Sequence, residues 1–400
     1  MRIKKMIMCL LCSVCGIISA FGAAGASWQH AVIEDNLYEV LNPSIAISRG
    51  NPVVAYTVRP SSKDRLIVKC AVWDGKAWNI KRIGDKDKDV YQPSVAADSN
   101  GIIHLAYFEG TVLKYAKFID NVWHVQTVTA DTFIGMPVYF NNPDTCYISL
   151  KLDVNNVPHI AFLYKYLFYY DKFGYTVRYA SFNKETKLWD VSGDVCLRVN
   201  EYGRQHCSLA LDRGGKAWIA TEGDSEGGCI PYKNHILICN SSDTTLSPWD
   251  NNFSFGSDGS HIPCVVFDQD NNLNLFYSSG SALYYVKYDQ KHKKWNTATK
   301  VEETGYSAIS SKSMILYKNK WPSVTYTIEA DRALVYAFVN SNDTWNKSVV
   351  DVNDDGGFSS PAIAVKLKDQ YIRWPMIVYI KGISPYYSLI LSQPKENTDI

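Results

Sequence analysis

Five side chains suited to proton transfer and anion binding fall in one part of the chain: His104, His159, Tyr164, Arg178 and His206. Imidazoles and phenols accept and donate protons, and a guanidinium pairs with a carboxylate in a planar fork. Together they would suit a sugar bearing a carboxylate, and they are the catalytic candidates if the protein is an enzyme. A second set suits sugar binding: Tyr91, Tyr139, Tyr166, Tyr169, Tyr175, Arg204, Tyr232 and His235. Aromatic rings pack on the apolar C–H faces of sugar rings, while Arg and His satisfy hydroxyls and charge.

Other chemistries find little support. No GxGxxG, P-loop, GxSxG or HExxH pattern occurs. His206, Cys207, Cys229, His235 and Cys239 have the right types for zinc, but no diagnostic spacing. Asp351, Asn353 and Asp355-Gly356 resemble the start of a calcium loop, but the twelfth position is Ala362 rather than Glu. No cofactor is expected; a structural calcium or zinc ion is the alternative left open.

These residues need a scaffold, and repeats supply it. Seven Trp residues each open a short polar or β-branched run: Trp28, Trp78, Trp123, Trp189, Trp249, Trp295 and Trp345, at steps of 50, 45, 66, 60, 46 and 50. Between them the order recurs. A small or apolar run comes first (PSIAIS, PSVAAD, SLKLD, SLALD, PCVVFD, SMILY, PAIAV). A Gly/Asn/Asp turn follows, then an apolar run usually ending in an aromatic, then a third alternating run. Four strands per repeat and no helical period predict an all-β, seven-bladed β-propeller of four-stranded antiparallel blades. The last repeat lacks a Trp-led strand and the mature N-terminus begins with one, so the N-terminal strand is expected to complete the last blade. Residues 27–400 would form this single domain.

Two blades carry long connections on the expected binding face. Residues 130–146 precede blade three, and the loop 163–176 (LYKYLFYYDKFGYT) within it is dense in Tyr and Phe. In blade four, 221–234 mixes acids, Gly and Tyr232. Long loops on a repeat scaffold are where function usually sits. His104 and His159 hold the same place in adjacent blades, Arg178 lies in the third strand of blade three, and Arg204, His206 and Cys207 precede the inner strand of blade four. The binding face is therefore expected above blades two to four.

Composition narrows partner and compartment. The 400 residues carry 41 Lys and Arg against 40 Asp and Glu, a net charge of +1, which argues against a nucleic-acid binder. Arg2, Lys4 and Lys5, an apolar run to Phe21 and Ala24-Gly25-Ala26 read as a signal peptide over residues 1–26. Its removal takes three positive charges and no acids, turning +1 into −2. No later segment is long and apolar enough to span a membrane. A secreted or periplasmic monomer is expected. Seven cysteines remain in the mature chain, an odd number, and a disulfide among Cys207, Cys229, Cys239 and Cys264 is one arrangement.

The pattern PSxAxDxxGxxHxAYx…LxYAx…W, best seen in PSVAADSNGIIHLAYFEGTVLKYAKFIDNVW, resembles the sialidase-like propellers of secreted bacterial proteins. That resemblance implies the propeller fold and a relation to sugar-binding lectins, sialidases and polysaccharide lyases. The S-x-D-x-G-x-T-W box of true sialidases is absent, and no arginine triad can be placed. By similarity to lyase-type propellers, His104, His159, Tyr164, Arg178 and His206 would supply proton transfer and uronate neutralisation. The leading reading is a carbohydrate-binding propeller. The alternatives are a polysaccharide lyase or glycoside hydrolase at the same cleft, and a protein-interaction propeller.

Overall fold

The alternating apolar runs form strands because one face of each must pack against a neighbouring sheet. A computed structural model describes residues 27–395 apart from 131–147, 170–171, 194, 200–205, 224–234, 242–248, 256–259, 305–308, 318–319, 340–342, 354–356, 368–372 and 384. It contains seven antiparallel sheets, and no helix among the described residues. Blades one to six span 39–83, 90–129, 148–199, 207–255, 260–303 and 309–352. Blade seven is made of Gly357–Leu367, Arg373–Ile383 and Tyr386–Pro394, with Trp28–Leu37 paired antiparallel along its outer edge. Each inner strand packs on the next, and that of blade seven packs on that of blade one.

In blades three and five the outer strand is split. Trp189–Val191 and Cys196–Val199 both pair with Lys172–Phe182, and Lys294–Trp295 and Thr299–Glu303 both pair with Ala282–Asp289. The seven Trp residues all stand in outer strands, as the spacing predicts. The rings of Trp28, Trp78, Trp123, Trp189, Trp295 and Trp345 pack against aromatics of their own blade or of the preceding one. Trp123 meets Phe118 at 5.0 Å, Trp189 meets Tyr115 at 5.0 Å and Trp345 meets Phe276 at 5.4 Å.

Second-strand tyrosines join blade to blade. The hydroxyls of Tyr326 and Tyr379 donate to Glu302 and Asp351 on the preceding outer strand, each at 2.8 Å, and Tyr56 donates to Glu34 in the same way. Lys347, Lys381 and Lys69 neutralise these three carboxylates. Asp351 is thereby engaged by Tyr379 and Lys381.

A second set of links runs between inner strands. Backbone N–H groups of Val95, Leu150, Leu209, Val265 and Ile363 donate to the hydroxyls of Ser44, Ser94, Ser149, Ser208 and Ser313 on the preceding blade, at 3.0–3.3 Å. Cys264 and Ala362 stand at the corresponding places in blades five and seven. Replacing Ser94 by Ala leaves the Leu150 N–H without its acceptor, at a cost of about 1–3 kcal/mol. A urea unfolding midpoint lower than wild type is expected, and an unchanged midpoint would show that the link is dispensable.

Candidate functional site

Inner strands start, and second strands end, on one face of the propeller. Here the inner strands surround a cavity of about 210 Å³, lined from all seven blades and including His206, Cys207 and Ile262. Four inner strands enter it by the same device. Asn42, Gln92, Ile262 and Ser360 have φ of 51°, 55°, 55° and 49°, and each precedes a proline. The pairing with the second strand breaks at each of these places. Such bulges turn the strand toward the axis and free a backbone N–H. The N–H of Gln92 donates to the Thr57 hydroxyl at 3.0 Å, and that of Ile262 donates to a carboxylate oxygen of Glu222. A β-branched residue in the left-handed region is strained, so this contact holds Ile262 in place.

Glu222 therefore puts a charge where blade one has a hydroxyl. It is 2% exposed, and Oε1 also lies 3.0 Å from His206 Nδ1. Its other oxygen, Oε2, has no hydrogen bond; His261 Nδ1 is 3.8 Å away. Burial pushes the carboxyl pKa up, but the His206 charge and hydrogen bonds, from His206 and the Ile262 N–H above all, outweigh it and hold it near 2, with His261 adding to the effect from 3.8 Å. The site thus holds a buried, ionised carboxylate between two imidazoles. His206 is enclosed, while the His261 side chain is 32% exposed. Glu222 and His261 were not singled out from sequence. The available signal is that Glu222 follows Thr221 where the other repeats carry Thr57, Phe108, Leu163, Ser278, Thr327 and Ile380.

The expected loop at 163–176 is instead the outer part of a long hairpin, Pro158–Tyr169 against Lys172–Phe182. Aromatic and β-branched residues favour the extended, paired state, which explains the difference. The Arg178 guanidinium lies 3.5 Å from the centroid of the half-buried Tyr164 ring. Arg178 sits opposite Phe162, as Lys69 sits opposite Tyr56 and Lys114 opposite Tyr107. In blade one that lysine pairs with Glu34 of the preceding blade. At the matching place before blade three stands Thr129, and the Arg178 guanidinium stacks on a ring.

His104 and His159 do not join this site. Both lie at the opposite end of their strands, beside the turns between inner and second strands. His104 bonds the Tyr115 hydroxyl at 2.5 Å and sits 3.4 Å from Asp98; His159 bonds Tyr179 and sits 3.9 Å from Asp153. The other oxygen of each aspartate accepts backbone N–H groups two and four residues on. Each histidine thus braces a turn, and Asn274 with Tyr285 repeats the arrangement in blade five. Tyr91 is also corrected: it is buried, and its hydroxyl donates to the Gly110 carbonyl at 2.7 Å. Tyr166, Tyr169 and Tyr175 belong to the hairpin, and His235 opens the third strand of blade four. Tyr139, Arg204 and Tyr232 lie outside the described residues. Cys70, Cys207, Cys239 and Cys264 are thiols, and Cys207 donates to the Ala161 carbonyl at 3.6 Å.

No family model matches this chain, and no curated protein does. Solved structures share its fold. A polysaccharide lyase, an ulvan lyase bound to a glucuronate–rhamnose sulfate unit, is 11% identical over 90% of this chain and 95% of its own, with a TM-score of 0.55. A protein of unknown function from Dyadobacter fermentans is 12% identical over 92% and 100%, at 0.52. An α-L-arabinanase from Penicillium chrysogenum, complexed with arabinobiose, is 14% identical over 90% and 97%, at 0.51. At these identities the likeness is one of fold.

Burial pushes the pKa of His104 and His159 down, with Asp98 and Asp153 pulling the other way. The unfolded chain then binds more protons than the folded one below the ordinary histidine value of about 6.5, so stability falls as pH drops through that value. Changing both to Asn, as blade five has, should flatten the slope. Urea midpoints on either side of that value measure it, and an unaltered slope would assign the acid sensitivity elsewhere.

Proposed function

We propose that this chain is an exported glycan-binding propeller, and that it binds a carboxylate-bearing saccharide on the face carrying the channel mouth, beside the blade-three hairpin. The observation that carries this reading is the Arg178 guanidinium stacked on Tyr164. A ring for a sugar's apolar face and a planar cation for its carboxylate then stand side by side. The same hairpin carries Tyr166, Tyr169 and Tyr175 farther out. The basic start and apolar run of residues 1–26 support export, and the near-neutral charge supports a sugar rather than a nucleic acid as partner. The sugar-bound neighbours are consistent with this use of the fold and do not carry it.

Affinity electrophoresis in gels containing uronate polysaccharides tests the reading, with a glycan array alongside. Tyr164→Ala and Arg178→Ala should each weaken retardation by about tenfold, or 1.4 kcal/mol. Arg178→Lys should recover only part, because an ammonium cannot form the planar fork. Equal retardation of all variants would remove the assignment.

A second reading, a polysaccharide lyase or hydrolase at the same mouth, draws on Glu222 between His206 and the partly exposed His261. An imidazole held against a buried carboxylate is a competent general base. Incubation with uronate polysaccharides, followed by the ultraviolet absorbance of an unsaturated product or by reducing-end release, decides it. Turnover abolished by His261→Ala would establish catalysis; no turnover by wild type across the panel would leave binding alone.

A further inference from the structure

On the opposite face, at the seam between blades two and three, a lysine is separated from the carboxylate that its repeat counterpart holds. Asp98 and Asp268 open equivalent turns, and one oxygen of each accepts the backbone N–H groups two and four residues on. A third-strand lysine accompanies each turn: Lys117 opposite His104, and Lys287 opposite Asn274. In blade five the Lys287 ammonium lies 2.6 Å from the second oxygen of Asp268. The Asn274 amide donates to the carbonyls of Val266 and Asn272, so it does not compete for that oxygen. In blade two the second oxygen of Asp98 faces His104 Nε2 at 3.4 Å, and Lys117 makes no ion pair among the described residues.

Lys117 turns across the seam instead. Its ammonium lies 5.9 Å from the Tyr115 ring centroid and 6.0 Å from that of Phe182 in blade three. Both distances stand at the outer limit of a cation–π contact, about 6 Å, so the rings do not replace a counter-ion. Two more lysines face it from the turn that follows Phe182. Burial lowers the Lys117 pKa; Asp98 opposes this, while the charges of Lys184 and Lys187 add to it. That turn is stiff. The Asn183 carbonyl accepts the Lys187 N–H at 2.9 Å, its side-chain oxygen accepts those of Glu185 and Thr186, and Lys184 Nζ donates to the Asn155 carbonyl at 2.6 Å. Neither Lys184 nor Lys187 pairs with a carboxylate among the described residues, Glu185 and Asp190 of the same segment included.

We infer that Lys117, Lys184 and Lys187 form a second binding site, for a tetrahedral oxyanion carried as a sulfate or phosphate ester. Three cations from two blades gather at one seam, and the side chain of Asp98, the carboxylate that opposes them, is only 5% exposed and held by its own turn. An anion entering between the lysines relieves their mutual repulsion. An ammonium is a point charge with rotatable donors, which suits oxygens disposed in three dimensions; a planar carboxylate is better matched by a guanidinium fork. The site lies on the face away from the channel mouth and does not depend on the reading given to Arg178. Cations fixed before binding reduce the ordering cost that a ligand must overcome.

The test uses the full mature chain with lysine-selective isotope labelling. A hexose sulfate and the matching hexose phosphate are titrated in, and lysine side-chain NMR signals read binding. At least one ester should shift the signals of Lys117, Lys184 and Lys187 together and leave that of Lys287 in place; the tighter ester names the group. His104→Asn copies blade five and releases Asp98 to Lys117. It should weaken binding by about tenfold with all three lysines present, and Lys117→Gln should do the same. Lys287→Gln should leave binding unchanged. Should His104→Asn fail to fold, Lys117→Gln decides. The inference is overturned if neither ester shifts the three signals, if sodium chloride at equal ionic strength shifts them as much, or if a folded His104→Asn or Lys117→Gln variant binds like wild type.

Discussion

A hydroxyl on one inner strand accepting a backbone N–H from the next is the contact on which the remaining geometry depends. It is short, directional and repeated at five seams. Dispersion between sheets would hold the blades together but would let them slide. A hydrogen bond to a particular backbone group sets the height of each blade along the axis. Tyrosine hydroxyls on outer-strand carboxylates set the same relation farther from the centre. The face is flat enough to carry a shared mouth because each blade is referenced to its neighbour in two places.

Function-bearing features arise where a repeat position changes its chemistry. Glu222 stands where Thr57 stands in blade one, and it converts a neutral contact to a left-handed N–H into an ionised one flanked by imidazoles. Arg178 stands where blades one and two carry Lys69 and Lys114, the first of which meets a glutamate across the seam. In each case the scaffold is unchanged and one side chain is left with a different task. Repetition supplies positional accuracy, and departures from it supply chemistry.

The fold was legible because a Trp closes each repeat, at steps of 45 to 66 residues, and the strands between alternate with period two. Outer-strand placement of all seven Trp residues follows directly from that. The site was less legible. His104 and His159 drew attention by type, yet their identical place in adjacent repeats marks them as braces of a turn. Glu222 was hidden within an acidic, glycine-rich stretch, and only its register beside Thr221 distinguishes it. His261 gains meaning from the bulge that brings blade five over Glu222, a long-range relation that no local pattern encodes. The density of aromatics at 163–176 was correctly located, but its paired, extended state depends on the register of two strands.

The interrupted outer strands of blades three and five have a further effect. A propeller exposes seven outer edges, each a row of backbone groups able to recruit a foreign strand. Splitting two of them shortens the template, and exposed Lys81 and Arg82 place like charges along the edge of blade one. At these three blades a molecule packed side by side meets a broken or charged rim rather than a continuous ladder. Edge-to-edge recruitment is thereby confined to the remaining blades, where the outer strands run unbroken.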